Sequence, residues 1–286
     1  MRDDPTAPAR VLRWLIIGLP AAFMFFCFVL PVVFHLSTSF LRSEDGLLTS
    51  ELTLDNYAGF FKSDLARGAL LRSFVIGAVV GVLVVLMAYP AAWFLTRTTS
   101  RWQGTLIALC LAPLLASVIV RTYGWHTILS REGIVNKALL WIGIVDAPLR
   151  LIPSVGGIVV GFTHVLMPYG ILILMSSLKG VNPNLERASM GLGAGRIKTF
   201  FLVVFPLTLP VALGTFFLAF ATTLSAYATP AILGGPRTET MATLIYEYML
   251  GVMDWSMGAT VGAILVVTAF ALMWLSTRLG AKRGVV

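Results

Sequence analysis

Six stretches of this chain run without Asp, Glu, Lys or Arg for at least the roughly 18 residues a membrane-crossing helix needs, and that pattern restricts the fold before any motif is considered. The spans expected are about 14–36, 73–96, 102–125, 151–178, 199–228 and 255–277 of the 286 residues. Charged residues make up 12%, against about 25% in an ordinary soluble domain, and 58% are hydrophobic. The reading is an all-α membrane protein with a single transmembrane domain over residues 1–286. A cleaved signal peptide behind Arg10 and Arg13 is a poor fit to the first run, because an h-region is only about 7–15 residues. This run is longer, is interrupted by Pro20 and Pro31 and has no A-x-A site after it, so it is kept as a helix.

Six spans place both termini on one side, and charge decides which. The N-terminal tail (Arg2, Arg10, Arg13), the second-to-third connection (Arg97, Arg101), the fourth-to-fifth connection (Lys179, Arg187, Arg196, Lys198) and the C-terminal tail (Arg278, Lys282, Arg283) hold twelve of the 21 Lys and Arg. The same segments hold three of the thirteen acids, Asp3, Asp4 and Glu186, leaving +9 on this side and −1 on the other. Cytoplasmic loops carry the excess of Lys and Arg, so the termini and the 179–198 loop are expected in the cytoplasm. The net charge of +8 therefore has a topological origin, and no basic soluble face for nucleic acid exists.

Several chemistries find no residues here. Cys27 and Cys110 lie alone in apolar runs and read as small buried hydrophobes, while His35, His126 and His164 are scattered, so no metal site or catalytic cluster is expected. GLGAGRIKT has the look of a phosphate loop, but Arg196 and Lys198 stand five residues after Gly191 and Gly193, where a P-loop needs glycine. G-x-G-x-x-G fails as well, at Arg196. No cofactor is expected in this chain, and any ATP-driven step would belong to another subunit.

The polar segment NPNLERASMGLGAGRIKTFFLVVFPLTLP, residues 182–210, interrupts the apolar pattern. Asn182 suits a helix cap, Pro183 the first helical position, and Glu186 the positive end of the dipole. Leu185, Ala188, Ser189 and Leu192 recur at helical spacing, and Gly193 and Gly195 end the helix. About ten residues make a helix roughly 15 Å long outside the hydrocarbon. Such a helix either seats in a groove of a soluble partner or rests on lipid headgroups.

This segment resembles the cytoplasmic "EAA" loop of permease subunits of bacterial binding-protein-dependent ABC importers, in which E-A-A is followed by three residues, glycine, nine residues and I-x-L-P. Gly193 takes the glycine, Ala188 and Ser189 the alanines, and Val203-Val204-Phe205-Pro206 the last four positions. Arg187 stands at the glutamate position, with Glu186 one residue earlier and so about 100° away around the helix. VRTYGWHTILSREGIVN, HVLMPYGILILMSSLKGV and SAYATPAILGGPRTETMATLIYEYML extend the resemblance to spermidine/putrescine-type permeases. The resemblance implies a type I importer fold in the bacterial inner membrane, a second permease subunit, an extracytoplasmic solute-binding protein, and a dimer of ATP-binding subunits that carries the ATP and Mg. It also implies that the loop helix, with Glu186, Arg187, Ala188, Ser189, Gly193, Val203, Phe205 and Pro206, couples the ATPase to the membrane helices.

Gly77/Gly81, Gly157/Gly161 and Gly258/Gly262 are small-xxx-small pairs that allow close helix approach, within one subunit or between two. Pro90, Pro113, Pro168, Pro206 and Pro210 mark bends. Arg121 is read as structural, snorkelling or paired with Glu132, and His164 as a hydrogen-bonded packing residue. Met241, Leu244, Ile245, Tyr248, Met249 and Val252 follow helical spacing, so the fifth-to-sixth connection is read as a partly buried helix. For a polyammonium solute, carboxylates and aromatic faces are the natural ligands, and Tyr227, Tyr246, Glu247 and Asp254 are the candidates; contact with the binding protein or solvent is the plainer role for the acids. A secondary transporter would need matching broken helices in two halves and acids inside its spans, and neither is present.

Overall fold

The computed structural model describes the backbone of residues 7–44 and 46–281, and the side chains of 16–44 and 46–274. Arg2, Asp3, Asp4, Lys282 and Arg283, on which the charge count leans, lie outside the described residues, as do the side chains of Arg10, Arg13 and Arg278. Five helices are long and apolar enough to cross a membrane: Ile16–Thr38, Asp64–Arg97, Val155–Gly180, Arg196–Ser225 and Trp255–Trp274, with a sixth crossing if one bent pair counts as a span. The chain divides into two compact units, Asp64–Leu244 with Leu265–Val286, and Met1–Ser63 with Ile245–Ile264.

The larger unit is built around the helices Asp64–Arg97, Val155–Gly180 and Phe205–Ser225. Their close approach has a definite cause. A Cβ on Gly81 would stand 2.7 Å from the Phe216 ring, and one on Gly77 3.0 Å from that of Phe220, so the glycine pair seats two phenylalanines one turn apart. Gly170 admits Val84 in the same way, and Gly161 admits Leu233. These pairs therefore work inside the chain. Between the glycines lies a continuous apolar core that includes Val80, Val84, Ala88, Ile171 and Leu174. Thr208, Thr215 and Thr223 turn their hydroxyls back onto the carbonyls of Val204, Val211 and Ala219, so each polar group is satisfied in apolar surroundings.

The Asp64–Arg97 helix has 34 residues and is about 50 Å long, well beyond a hydrocarbon core of about 30 Å. Its early turns hold the fifth-to-sixth connection: Arg72 donates to the Glu239 carbonyl at 2.9 Å, and Ser73 accepts from the Met241 N–H at 2.8 Å.

The third span departs from expectation. In place of one helix over 102–125 there are Gln103–Leu111, a tight turn Ala112–Leu115 and, after an extended Ser117, Val118–Leu129. The two arms differ in direction by 96°. Pro113 sits in the tight turn, where its missing N–H removes a helix bond, and Ser117 starts the second arm by accepting from the Ile119 N–H. Hydropathy alone cannot register this break, because both arms are apolar.

The smaller unit corrects the all-α expectation. After Leu30–Thr38 come two antiparallel strands, Leu41–Glu44 and Leu47–Leu52, with Gly46 at φ +80° in their turn, and then the helix Asp55–Lys62. Ser39 organises the junction. Its hydroxyl meets the Tyr57 hydroxyl at 2.7 Å, while its carbonyl accepts from Asn56 and from Thr260, the latter on the Trp255–Ala281 helix. In this unit Gly258 lies against Met249, and Gly262 against His35.

Candidate functional site

The 182–206 segment folds as two short helices joined by a glycine turn. Asn182 accepts the Asn184 N–H on its side-chain oxygen at 2.9 Å, and Pro183 opens the helix Pro183–Gly191. Gly193 takes φ +87°, a left-handed conformation that costs other residues about 1 kcal/mol or more, and from there the chain reverses. Gly195 caps Arg196–Thr199, which continues through a wide π-type turn, Phe200–Val204, into Phe205–Ser225.

Two polar contacts hold the hairpin from its inner side. Ser189 and Thr199 share a hydroxyl hydrogen bond of 3.1 Å across the turn. Glu186 accepts from Arg97 at the end of the Asp64–Arg97 helix, with the two side chains 17% and 31% exposed. Below them the Phe200 ring stacks on Trp93 at 4.5 Å and meets Tyr89 edge-on at 5.3 Å, and Phe205 packs against both Tyr89 and Phe200. Val204 is fully buried and Val203 half-buried, while Pro206 is exposed in the first turn of its helix. The segment is therefore attached to the Asp64–Arg97 helix by a charge pair and an aromatic stack.

Its outer side is different. Leu185, Arg187, Ala188, Met190, Leu192, Arg196, Ile197 and Lys198 are all exposed, Leu192 at 90% and Ile197 at 75%. The apolar face read from the sequence is thus split: Leu185, Ala188 and Leu192 look outward, whereas Ser189 turns in toward Thr199. The one-residue offset of the acid has the same logic, since Glu186 points inward to Arg97 while Arg187 stays outside. Arg97, 89 residues away in sequence, is the member of this site that pattern reading missed. Its position, closing a span opposite the loop, was the only available signal.

No family model matches the chain. Among curated proteins, the spermidine/putrescine transport system permease protein PotB of Salmonella typhimurium is 28% identical over 272 residues, covering 94% of this chain and 93% of PotB. The inner membrane ABC transporter permease protein YdcU of Escherichia coli is 30% identical over 240 residues, covering 79% of this chain and 72% of YdcU. The chain belongs to the ABC transporter permease family. Among solved structures, a chain of a bacterial alginate ABC transporter, in complex with an alginate pentasaccharide-bound periplasmic protein, has the same fold, with TM-score 0.82 at 16% identity over 97% of this chain and 98% of that one.

In this permease the four pathway candidates fall in different places. Tyr227 belongs to the larger unit, 38% exposed just before the short helix Ala228–Leu233. Tyr246, Glu247 and Asp254 belong to the smaller unit. The helix expected through Val252 is regular over Met241–Tyr246, then widens into a π-type turn over Glu247–Gly251. Glu247 is exposed and lies over Gly251, where a Cβ would come within 2.7 Å of its carboxylate. Asp254 accepts the Met257 N–H at 3.0 Å and so caps the Trp255–Ala281 helix.

Proposed function

We propose that this permease is one of two transmembrane subunits of a binding-protein-dependent ABC importer in the bacterial inner membrane, with cytoplasmic termini and a polyamine of the spermidine/putrescine class as solute. An extracytoplasmic protein delivers the solute. ATP and Mg bind to a dimer of separate subunits, one of which seats on the Pro183–Gly191 helix. The apolar side chains of Ile16–Thr38, exposed along its length, face lipid.

One observation carries this reading: the loop helix presents an outward apolar edge of Leu185, Met190 and Leu192, flanked by Arg187, Arg196 and Lys198, while its inner edge is fixed to the membrane helices. A soluble partner gripping the outer edge moves a rigid element. Through Glu186–Arg97 and the Trp93–Phe200 stack, that displacement reaches the 34-residue Asp64–Arg97 helix, and through the π-type turn at Phe200–Val204 it reaches Phe205–Ser225. Closure of the ATPase pair is thereby converted into a rearrangement of spans. The glycine-seated rings of Phe216 and Phe220 keep those two helices moving as one body.

The polyamine assignment is supported by the likeness to PotB over nearly the whole chain, with Glu247, Tyr246, Tyr227 and Asp254 as pathway candidates. A second reading, import of a different small solute, is favoured by an outer cleft of 480 Å³ lined by His126, Arg131 and Arg150, whose charge suits an anion. The docking reading is tested by Leu192→Glu in the reconstituted importer. It should release the ATP-binding subunits while leaving membrane insertion intact, and retention with normal ATP-driven uptake would contradict it.

A further inference from the structure

Arg121, on the second arm of the broken span, is half-buried, yet its Nε and Nη1 are sealed from solvent and have no hydrogen-bond partner. Among the described residues it forms no ion pair, and the Glu132 partner considered from sequence does not engage it. His164, at mid-helix in Val155–Gly180, lies within electrostatic reach of Arg121, and its Nδ1 is also buried without a partner. Trp125, one turn beyond Arg121, meets the His164 ring edge-on at 5.6 Å and closes one side, while the neighbouring Thr163 hydroxyl is a further buried group without a partner. The hydrogen-bonded packing role read for His164 is therefore not what its Nδ1 shows.

Four buried polar atoms on two facing helices, one pair on a permanent cation, are more than a native core leaves unpaired without a reason. A buried guanidinium is tolerated in a membrane protein when it is paired or faces a polar path, and its planar fork matches a carboxylate. We propose that Arg121 and His164 form a carboxylate-receiving site, filled in the assembled importer by an Asp or Glu side chain of the second permease. The choice of that donor rests on the cationic-solute reading above, because an ammonium solute is repelled from Arg121 and cannot supply the negative charge. The site would then be an electrostatic latch between the two permeases on the arm that changes direction by 96°.

The sign of a stability change tests this, since removing one member of a buried pair destabilises, whereas removing an unpaired buried charge does not. The importer, purified with its companion subunits in nanodiscs, is compared as wild type, Arg121→Gln and Arg121→Lys by the thermal midpoint of the complex, with and without solute. The latch predicts a lowered midpoint for Arg121→Gln, a smaller loss for Arg121→Lys, and recovery when one Asp or Glu of the second permease is neutralised. If Arg121→Gln does not assemble, that same neutralisation should restore assembly. Failure of every such substitution to restore the complex overturns the latch. Should Arg121→Gln leave the solute-free midpoint unchanged but abolish the rise produced by a carboxylate-bearing solute, the site stands with the solute as donor, and the polyamine reading falls. A raised midpoint, or no change in either measurement, means a guanidinium that is unpaired or held by water, and overturns the site.

Discussion

Arg97 donates to Glu186, tying the last turn of the Asp64–Arg97 helix to the first turn of the Pro183–Gly191 helix. Each charge also suits its own helix, the cation at a negative C-terminal end and the acid at a positive N-terminal end. The pair is shielded on the protein side, so it is worth more than an open surface bridge, for which about 0–1 kcal/mol is usual. Arg97→Gln should leave insertion intact and lower solute-stimulated ATP hydrolysis severalfold. The exchange Arg97→Glu with Glu186→Arg should recover part of that loss, although the helix-end preferences are then reversed. Equal activity in wild type and Arg97→Gln would remove the pair from the coupling route.

Gly193 sets the reversal of the chain after the loop helix. At φ +87° alanine is strained by about 1 kcal/mol, while proline, fixed near −65°, cannot adopt the turn at all. Gly193→Ala is expected to keep the ATP-binding subunits bound with weaker coupling, and Gly193→Pro to lose them in a pull-down from solubilised membranes. Unchanged ATP-driven uptake by Gly193→Pro would sink the assignment of this turn to coupling.

Two glycines in apolar helices should respond oppositely to alanine. At Gly81 the added Cβ meets the Phe216 ring at 2.7 Å and the Phe216 carbonyl at 3.1 Å, so Gly81→Ala forces the helices apart at a cost of about 1–3 kcal/mol. Nothing lies within 4 Å at Gly104, where alanine gains about 1 kcal/mol of helix preference. Thermal midpoints of the two variants should move in opposite directions, and a common direction would mean that the Gly81–Phe216 approach is not close.

For the acids of the smaller unit, charge and capping can be separated. Asp254→Asn keeps an N-cap and Asp254→Ala removes it, costing about 1 kcal/mol, so only the alanine variant should lower the thermal midpoint. Glu247→Gln should weaken uptake of a polyammonium solute more than that of a neutral analogue. Equal losses for both solutes would rule out direct charge recognition by Glu247.

What the sequence made legible followed local rules. Asn182, Pro183 and Gly193 announced a helix start and a reversal, and charge-free runs announced the spans, because capping, φ restriction and hydropathy act within a few residues. The break of the third span at Pro113 and Ser117 was hidden by uniform hydropathy on both sides. The hairpin of Leu41–Glu44 with Leu47–Leu52 went unread because strands of four and six residues give too little alternation to stand out in a helical chain. Long-range partners were out of reach: nothing near Glu186 points to Arg97, and nothing near Gly77 or Gly81 says whether Phe220 and Phe216 or another subunit fills the space. The wide turn at Glu247–Gly251, which diverts a regular helical pattern, likewise depends on Met253 adopting φ +59°.

The central claim, that this permease works as one subunit of an ATP-driven importer, is tested most directly by isolating the chain from native membranes under mild solubilisation and identifying its companions by mass spectrometry. The account predicts an ATP-binding subunit together with a second permease. Recovery of the chain alone, or only with copies of itself, would contradict it.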